Sequence, residues 1–244
     1  AVDVVPNTHG KLQTSVVGHL DHSFQRVKVL LLFFRSDFHH ANIGKRLDKD
    51  EVGVGRSKIA PVFVPEDQHK TVETVAGQQV EEIMPGMLQG YLTEEEQLDS
   101  SEFVLPAPAE DSAMQALDTA VMERMLELQG SPRWDIAISD ANLAFPAAAE
   151  VFSCALGIEI SEEGSPALYI LLRRTLTDIG LAPYSAKNAF QRERPFMVSD
   201  TPVCTPQDEE ALRKDGSYPS GHTAIGWGWA LILTELAPGK SEEI

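Results

Sequence analysis

The stretch KNAFQRERPFMVSDTPVCTPQDEEALRKDGSYPSGHTAIGWGWALILTEL, residues 187–236, decides the fold and carries the most informative motif of the chain. Its last part predicts an apolar helix, and the turn YPSGH at 218–222 leads into that helix. Ser220 is a favourable N-cap, and Gly221 lets a ligand approach the backbone closely. Because a helix start presents unpaired N–H groups and a partial positive charge, the turn predicts an anion site. His222 would lie beside the anion, and a histidine there can donate a proton to a leaving oxygen, since the ordinary pKa of histidine lies near working pH.

Two cations precede this turn. Lys187 and Arg194 are seven positions apart, which corresponds to two helical turns, so we predict that one helix face presents both. An arginine can bind two oxygens at once, and a lysine adds a point charge. Pro195 is expected to end that helix and to fix the direction of Arg194. Each feature alone is more often structural, but together and in this order they indicate a site for an oxyanion.

The segment upstream has the periodicity of helices. In DSAMQALDTAVMERMLELQG, residues 111–130, apolar residues recur at steps of three and four and predict one apolar face. Ser131-Pro132 and Ser165-Pro166 are each a cap followed by a first-turn proline, which is typical of a helix start. The apolar face of the helix predicted at 111–130 consists of Met114, Leu117, Val121, Met125 and Leu128. The predicted core positions of the helix that starts at Ser165-Pro166 are Ile170, Leu171, Leu172, Leu176 and Ile179.

We therefore predict an all-α fold, a helical bundle that occupies residues 86–244. Residues 1–85 lack sustained periodicity and are expected to form an irregular, unassigned N-terminal extension. The first stretch with a helical pattern is ETVAGQQVEEIM, residues 73–84.

Charge narrows the range of partners. The formal net charge of -17 predicts repulsion of nucleic acid and of anionic membrane surfaces, so an anionic substrate needs a locally positive pocket. The apolar runs fall short of the roughly 20 residues that a membrane helix requires. We expect a small molecule as partner, with neither nucleic acid nor a membrane.

The motifs KNAFQRERP and GSYPSGHT, at 187–195 and 216–223, resemble the first two motifs of the phosphatidic acid phosphatase type 2 superfamily. That superfamily includes bacterial class A non-specific acid phosphatases and vanadium haloperoxidases. The form GSYPSGHTAIGWGWALIL, together with FSCALG, LYILLRRTLTD and SAKNAFQRERPF, is similar to the class A acid phosphatases. The resemblance covers roughly residues 91–240.

The resemblance implies an all-α fold and hydrolysis of phosphate monoesters without a metal. It implies that Lys187, Arg194, Ser220 and Gly221 bind the phosphate oxygens and that His222 protonates the leaving alcohol. It also implies a periplasmic or secreted protein, for which a disulfide between Cys154 and Cys204 is expected.

The family's third motif, S-R-x-x-x-x-x-H-x-x-x-D, has no match in this sequence. In the family it supplies a further phosphate-binding arginine, the histidine that becomes phosphorylated and an aspartate that orients it. The cluster RSDFHH at 35–40 has neither the order nor the spacing of the motif. We therefore expect a bundle that is incomplete at its C-terminus and a chain with weak or no phosphatase activity, because covalent catalysis needs a nucleophile.

Two alternatives stay open at this point. A vanadium-dependent haloperoxidase would use the same pocket with vanadate as cofactor, whereas in a phosphatase vanadate would act as an inhibitor. A non-catalytic phosphate-binding remnant would bind the anion without turnover. The preferred ester also stays open, since Tyr184, Phe196 and Tyr218 fit a leaving-group pocket and core packing equally well. Apolar surface left without its covering helices would favour homo-oligomers.

Overall fold

A computed structural model describes residues 71–73 and 77–244 of the 244-residue chain. Most of the predicted N-terminal extension, including the cluster at 35–40, lies outside these residues. Within them helices dominate, as the predicted all-α class requires, and a small three-stranded sheet precedes the helices.

The sheet replaces the helix that the pattern at 73–84 suggested. Strands β1 (Thr71–Glu73), β2 (Gln79–Met84) and β3 (Met87–Leu88) pair antiparallel in the order β1-β2-β3. The helical expectation was wrong because two local features break it. Gly77 has a φ of +75°, outside the helical region, and Pro85-Gly86 forms the turn between β2 and β3. The strands then bury Val80 and Leu88 in one cluster with Ile170 and the partly buried Val72.

The helices carry labels in chain order. They are α1 (Ala113–Leu126), α2 (Pro132–Asp140), α3 (Ala147–Glu150), α4 (Ser153–Leu156), α5 (Pro166–Leu181), α6 (Tyr184–Phe190), α7 (Pro195–Ser199), α8 (Glu209–Leu212) and α9 (Gly221–Leu236). Short 3-10 turns lie at Ser100–Glu102, Pro206–Asp208 and Pro238–Lys240.

Local capping accounts for several of these boundaries. The Ser112 hydroxyl accepts a hydrogen bond from Gln115 N at 3.1 Å, and the Ser131 hydroxyl accepts one from Trp134 N at 3.3 Å. Gly157 ends α4 with a φ of +69°, in the left-handed region that glycine tolerates. The predicted starts at Ser131-Pro132 and Ser165-Pro166 are confirmed, since α2 begins at Pro132 and α5 at Pro166.

The predicted core of α5 is confirmed. All five of its expected positions are buried, with Leu172 fully inaccessible. The apolar face predicted for α1 is largely exposed, since Met114, Leu117, Val121 and Met125 are between 48% and 58% exposed. Periodicity correctly placed these residues on one face, but it could not tell whether another element covers that face.

The chain divides into two compact units. Within its described residues, the first comprises 71–73, 77–89, 152–174 and 229–244, and the second comprises 90–151 and 175–228. In the first unit Arg174 Nε donates to Gln89 O at 3.1 Å and Arg173 Nη2 donates to Gly86 O at 3.4 Å, so both arginines attach α5 to the segment around β3. The division into an extension at 1–85 and a domain at 86–244 stays a prediction, and its boundary falls in the turn between β2 and β3.

Among the residues that the structure describes, no helix combines the length and apolar character needed to cross a membrane.

Candidate anion-binding site

The turn before α9 has the predicted N-cap geometry. Ser220 Oγ accepts a hydrogen bond from Thr223 N at 3.2 Å, and Ser220 O accepts from Ala224 N at 3.1 Å. Gly221 is the first residue of α9, and a Cβ built on it would meet no atom within 4 Å. The N–H groups of a first helical turn have no intrahelical partner, so the start of α9 offers donors beside open space. This arrangement suits an anion.

His222 lies in the first turn of α9, and its ring is held by the backbone that follows α2. The His222 Nε2 atom is 3.0 Å from Ala141 O. A carbonyl oxygen can only accept, so Nε2 carries the hydrogen in this contact. Nδ1 is therefore the ring nitrogen that gains or loses a proton without breaking this bond.

Lys187 is a buried cation near the end of α6. The residue is 4% exposed, its Nζ atom lies 3.2 Å from Asp215 Oδ2, and it also lies 5.3 Å from the centre of the Tyr184 ring. The start of α6 is fixed by a pair of serines, because Ser185 Oγ accepts from Ser100 N at 2.7 Å and Ser100 Oγ accepts from Ala186 N at 3.1 Å. The helix therefore holds Lys187 at a defined position.

Arg194 donates three hydrogen bonds to residues 212 and 215, which precede the YPSGH turn. Arg194 Nε donates to Leu212 O at 2.9 Å and to Asp215 O at 3.0 Å. Arg194 Nη2 donates to Asp215 Oδ2 at 3.0 Å. One carboxylate oxygen of Asp215 thus contacts both Arg194 and Lys187.

The two cations do not share a helix face, which corrects the prediction from their spacing. Helix α6 ends at Phe190, since Gln191 adopts a left-handed conformation with a φ of +45°. Arg194 is the N-cap of α7 in an extended conformation, and Pro195 begins that helix rather than ending one. The structure nevertheless brings the charged ends together through Asp215, a residue that the sequence reasoning missed. The signal was an acidic residue immediately before the GSYPSGHT motif.

Gly216 allows the backbone to pass close to Lys187. A Cβ at this position would lie 3.2 Å from both Lys187 Cγ and Lys187 O, tighter than nearly all real contacts. The next residue is pinned as well, since Ser217 N donates to Arg192 O at 2.8 Å. Only residues 217–219 separate this close approach from Ser220.

The three aromatic candidates have different surroundings. Phe196 is buried, and the Arg213 guanidinium lies 5.0 Å from its ring centre, so it packs in the protein. The Tyr218 hydroxyl donates to Leu105 O at 3.0 Å, and its ring stacks on Phe190 with centres 5.9 Å apart.

Tyr184 lies closest to the charged cluster. Burial raises the pKa of its hydroxyl, the negative charge of Asp215 raises this pKa further, and Arg194 acts in the opposite direction. The ring therefore forms one wall of the Lys187 environment.

Arg192 makes contacts that hold the scaffold together. Its Nη2 atom donates to Asp118 Oδ2 at 2.9 Å and to Gln115 Oε1 at 2.8 Å, which attaches the segment after α6 to helix α1.

Cys154 is an exposed thiol and Cys204 is a half-buried one. The two residues belong to different compact units, and a disulfide between them stays a prediction that rests on the family resemblance. Within residues 71–73 and 77–244, no group of three or more His, Cys, Asp or Glu side chains is arranged to hold a metal ion.

Comparison with known proteins confirms the resemblance that these motifs carry. Residues 165–244 match the PAP2 superfamily. Several curated relatives are named acid phosphatases. The chain is 41% identical over 146 residues to an acid phosphatase of Zymomonas mobilis, which covers 58% of this chain and 54% of that protein.

Two further relatives are named non-specific acid phosphatases. The protein of Salmonella typhimurium is 36% identical over 158 residues, 64% of this chain and 63% of its own length. The protein of Providencia stuartii is 39% identical over 155 residues, 63% of this chain and 62% of its own length. The chain thus spans between about half and two thirds of the length of these relatives.

Proposed function

We propose that this chain is part of an acid phosphatase that hydrolyses small phosphate monoesters. The observation that carries the proposal is the convergence of Lys187 and Arg194 on one oxygen position, a few residues before a capped helix start. A doubly charged phosphoryl group requires several donors and at least one compensating cation, and both are available in this segment. The acid phosphatase names of the relatives support the same class.

The proposed roles follow from the chemistry of each group. Lys187 and Arg194 neutralise the phosphoryl oxygens, while the Ser220 hydroxyl and the Gly221 N–H donate hydrogen bonds to them. His222 gives the Nδ1 proton to the leaving oxygen as the P–O bond breaks. Its Nε2–H bond to Ala141 O keeps the ring in place during this transfer. No metal is required for these steps.

The finer part of the proposal concerns the nucleophile. The family resemblance implies attack by a second histidine and a phosphohistidine intermediate, which water then hydrolyses. His222 is the one histidine within residues 71–73 and 77–244, and the third motif has no match in the sequence. We therefore propose that the chain by itself binds phosphate but turns over esters slowly or not at all.

The same donors suit vanadate, which is tetrahedral like phosphate, so we propose vanadate as a competitive inhibitor. A haloperoxidase would instead need vanadate as a resident cofactor, and the names of the relatives favour the phosphatase. Vanadate-dependent oxidation of bromide by this chain would reverse that preference.

A periplasmic or secreted location and a small-molecule partner complete the proposal. The location rests on the family resemblance, and the small partner rests on the net charge of -17, which opposes nucleic acid and anionic membranes. Fractionation of cells that express the full-length protein tests the location, with activity in the cytoplasmic fraction as the contrary result.

The function is tested by hydrolysis of p-nitrophenyl phosphate at acid pH. Two proteins are compared, this chain and the same chain extended after Ile244 by a segment that carries the third motif. We expect turnover in the extended chain, and loss of that turnover in its His222→Asn variant. A matched variant, Glu210→Gln, alters only an exposed ion pair with Lys214 and should keep activity. Equal turnover in both proteins would show that the nucleophile lies within this chain, and turnover that survives His222→Asn would remove that residue from the mechanism.

A further inference from the structure

Asp215 occupies the position between the two cations. Its Oδ2 atom lies 3.2 Å from Lys187 Nζ and 3.0 Å from Arg194 Nη2. A single carboxylate oxygen therefore accepts from both groups that we assign to the phosphoryl oxygens. The neighbouring acidic side chains of α8 lie elsewhere, since Glu209 pairs with Arg213 and Glu210 pairs with Lys214.

The exposure of the three side chains places Asp215 outermost. The Lys187 side chain is 5% exposed, the Arg194 side chain 19% and the Asp215 side chain 30%. The Asp215 carboxylate is therefore more accessible to an anion from solvent than the Lys187 side chain is.

The cations are also held by contacts that do not involve this carboxylate. Arg194 Nε donates to the carbonyl oxygens of Leu212 and Asp215. The backbone of Gly216 packs against Lys187 Cγ and Lys187 O. Removal of the carboxylate should thus leave both cations near their present positions.

We propose that the Asp215 carboxylate is an internal anion that occupies the place of a phosphate oxygen in the unliganded site and competes with phosphate for Lys187 and Arg194. This inference rests on the proposed function and deepens it. A bound phosphoryl group and the carboxylate repel each other at this range, so binding requires Asp215 to release at least one cation. The residue keeps the buried lysine paired while the site is empty. It also weakens the binding of inorganic phosphate, the product of the proposed reaction.

The test measures the dissociation constant of inorganic phosphate by isothermal titration calorimetry at constant ionic strength. Asp215→Asn removes the charge and keeps the side-chain size, and we expect it to bind phosphate about tenfold more tightly than the wild-type chain. Asp215→Glu keeps the charge and should stay closer to the wild-type affinity. Glu210→Gln removes one negative charge from an exposed pair and controls for net charge, so its affinity should stay within about twofold.

The outcomes separate this inference from the proposed function. Tighter binding in Asp215→Asn alone supports the competition. Equal or weaker binding in Asp215→Asn overturns it and leaves the phosphate site in place. Equal tightening in Glu210→Gln would also overturn it, because net charge alone would then explain the effect. If neither the wild-type chain nor any variant binds phosphate, that result overturns both the proposed function and this inference.

Asp215→Asn leaves a buried lysine without its carboxylate, and this change can prevent folding. In that case the proposal makes a second prediction. Phosphate should take the place of the missing Asp215 carboxylate as the counter-ion of Lys187 and so restore folding. Refolding that succeeds in phosphate but fails in chloride of equal ionic strength supports the proposal. Refolding that fails equally in both salts contradicts it.

Discussion

Asp178 on α5 holds the segment at 90–92, and its removal should strongly destabilise the second unit. The residue is 2% exposed. Its Oδ1 atom accepts from Tyr91 N at 3.1 Å and Leu92 N at 3.1 Å, and its Oδ2 atom accepts from Tyr91 N at 2.8 Å. Asp178→Ala removes the acceptor that these two backbone donors share, and each lost hydrogen bond to the carboxylate costs about 1–3 kcal/mol. We therefore expect a loss of about 2–6 kcal/mol in the free energy of unfolding, a large part of the about 5–15 kcal/mol that is typical of a domain.

Urea unfolding followed by circular dichroism measures this loss. Asp178→Asn keeps one acceptor oxygen and should lose less, about 1.5–3 kcal/mol, because a charge-assisted bond is replaced by a neutral one. Gly90→Ala should also destabilise, since a Cβ at that position would overlap the Asp178 carboxylate. Asp111→Ala, at an exposed position, serves as the control. An Asp178→Ala chain that unfolds within about 0.5 kcal/mol of the wild type would refute the reasoning.

Three further predictions address the site and its scaffold. Gly216→Ala places a methyl group 3.2 Å from Lys187 O, so we expect a loss of about 1–3 kcal/mol in urea unfolding and weaker phosphate binding by calorimetry; wild-type values for both would contradict the close approach. Ser131→Ala removes the cap of α2 and should cost about 1 kcal/mol, whereas Ser131→Asp should retain most of the stability in the same assay. The raised pKa of Tyr184 favours its neutral form in the folded chain, so its contribution to stability is present below about pH 10 and is lost as pH rises through the folded-state pKa. Unfolding measured on either side of that pH should show a steeper alkaline loss in the wild type than in Tyr184→Phe, and equal slopes would argue against the raised pKa.

Local signals in the sequence predicted the helix starts and the turn before α9. Ser131 and Ser220 each accept a hydrogen bond from the backbone N–H three residues later, so their capping roles can be predicted from the local sequence. The buried face of α5 followed from periodicity, since its apolar residues recur at helical spacing.

Features that depend on single backbone conformations were harder to predict. The left-handed conformation of Gln191 ends α6 early, so Lys187 and Arg194 lie on either side of a helix end rather than along one helix. Gly77 has a positive φ and likewise interrupts the stretch at 73–84, which has a helical pattern but forms strands.

Contacts between residues far apart in the sequence were also not predicted. The pairing of Asp215 with Lys187 spans 28 positions, and no periodic pattern points to it.

The most direct test of the central claim is a crystal structure of this chain with inorganic phosphate. Our account predicts a phosphate ion at the start of α9, within hydrogen-bond distance of Lys187 Nζ, the Arg194 guanidinium and Gly221 N. A phosphate ion bound elsewhere, or an empty site at saturating phosphate with Lys187 and Arg194 still paired to Asp215, would contradict it.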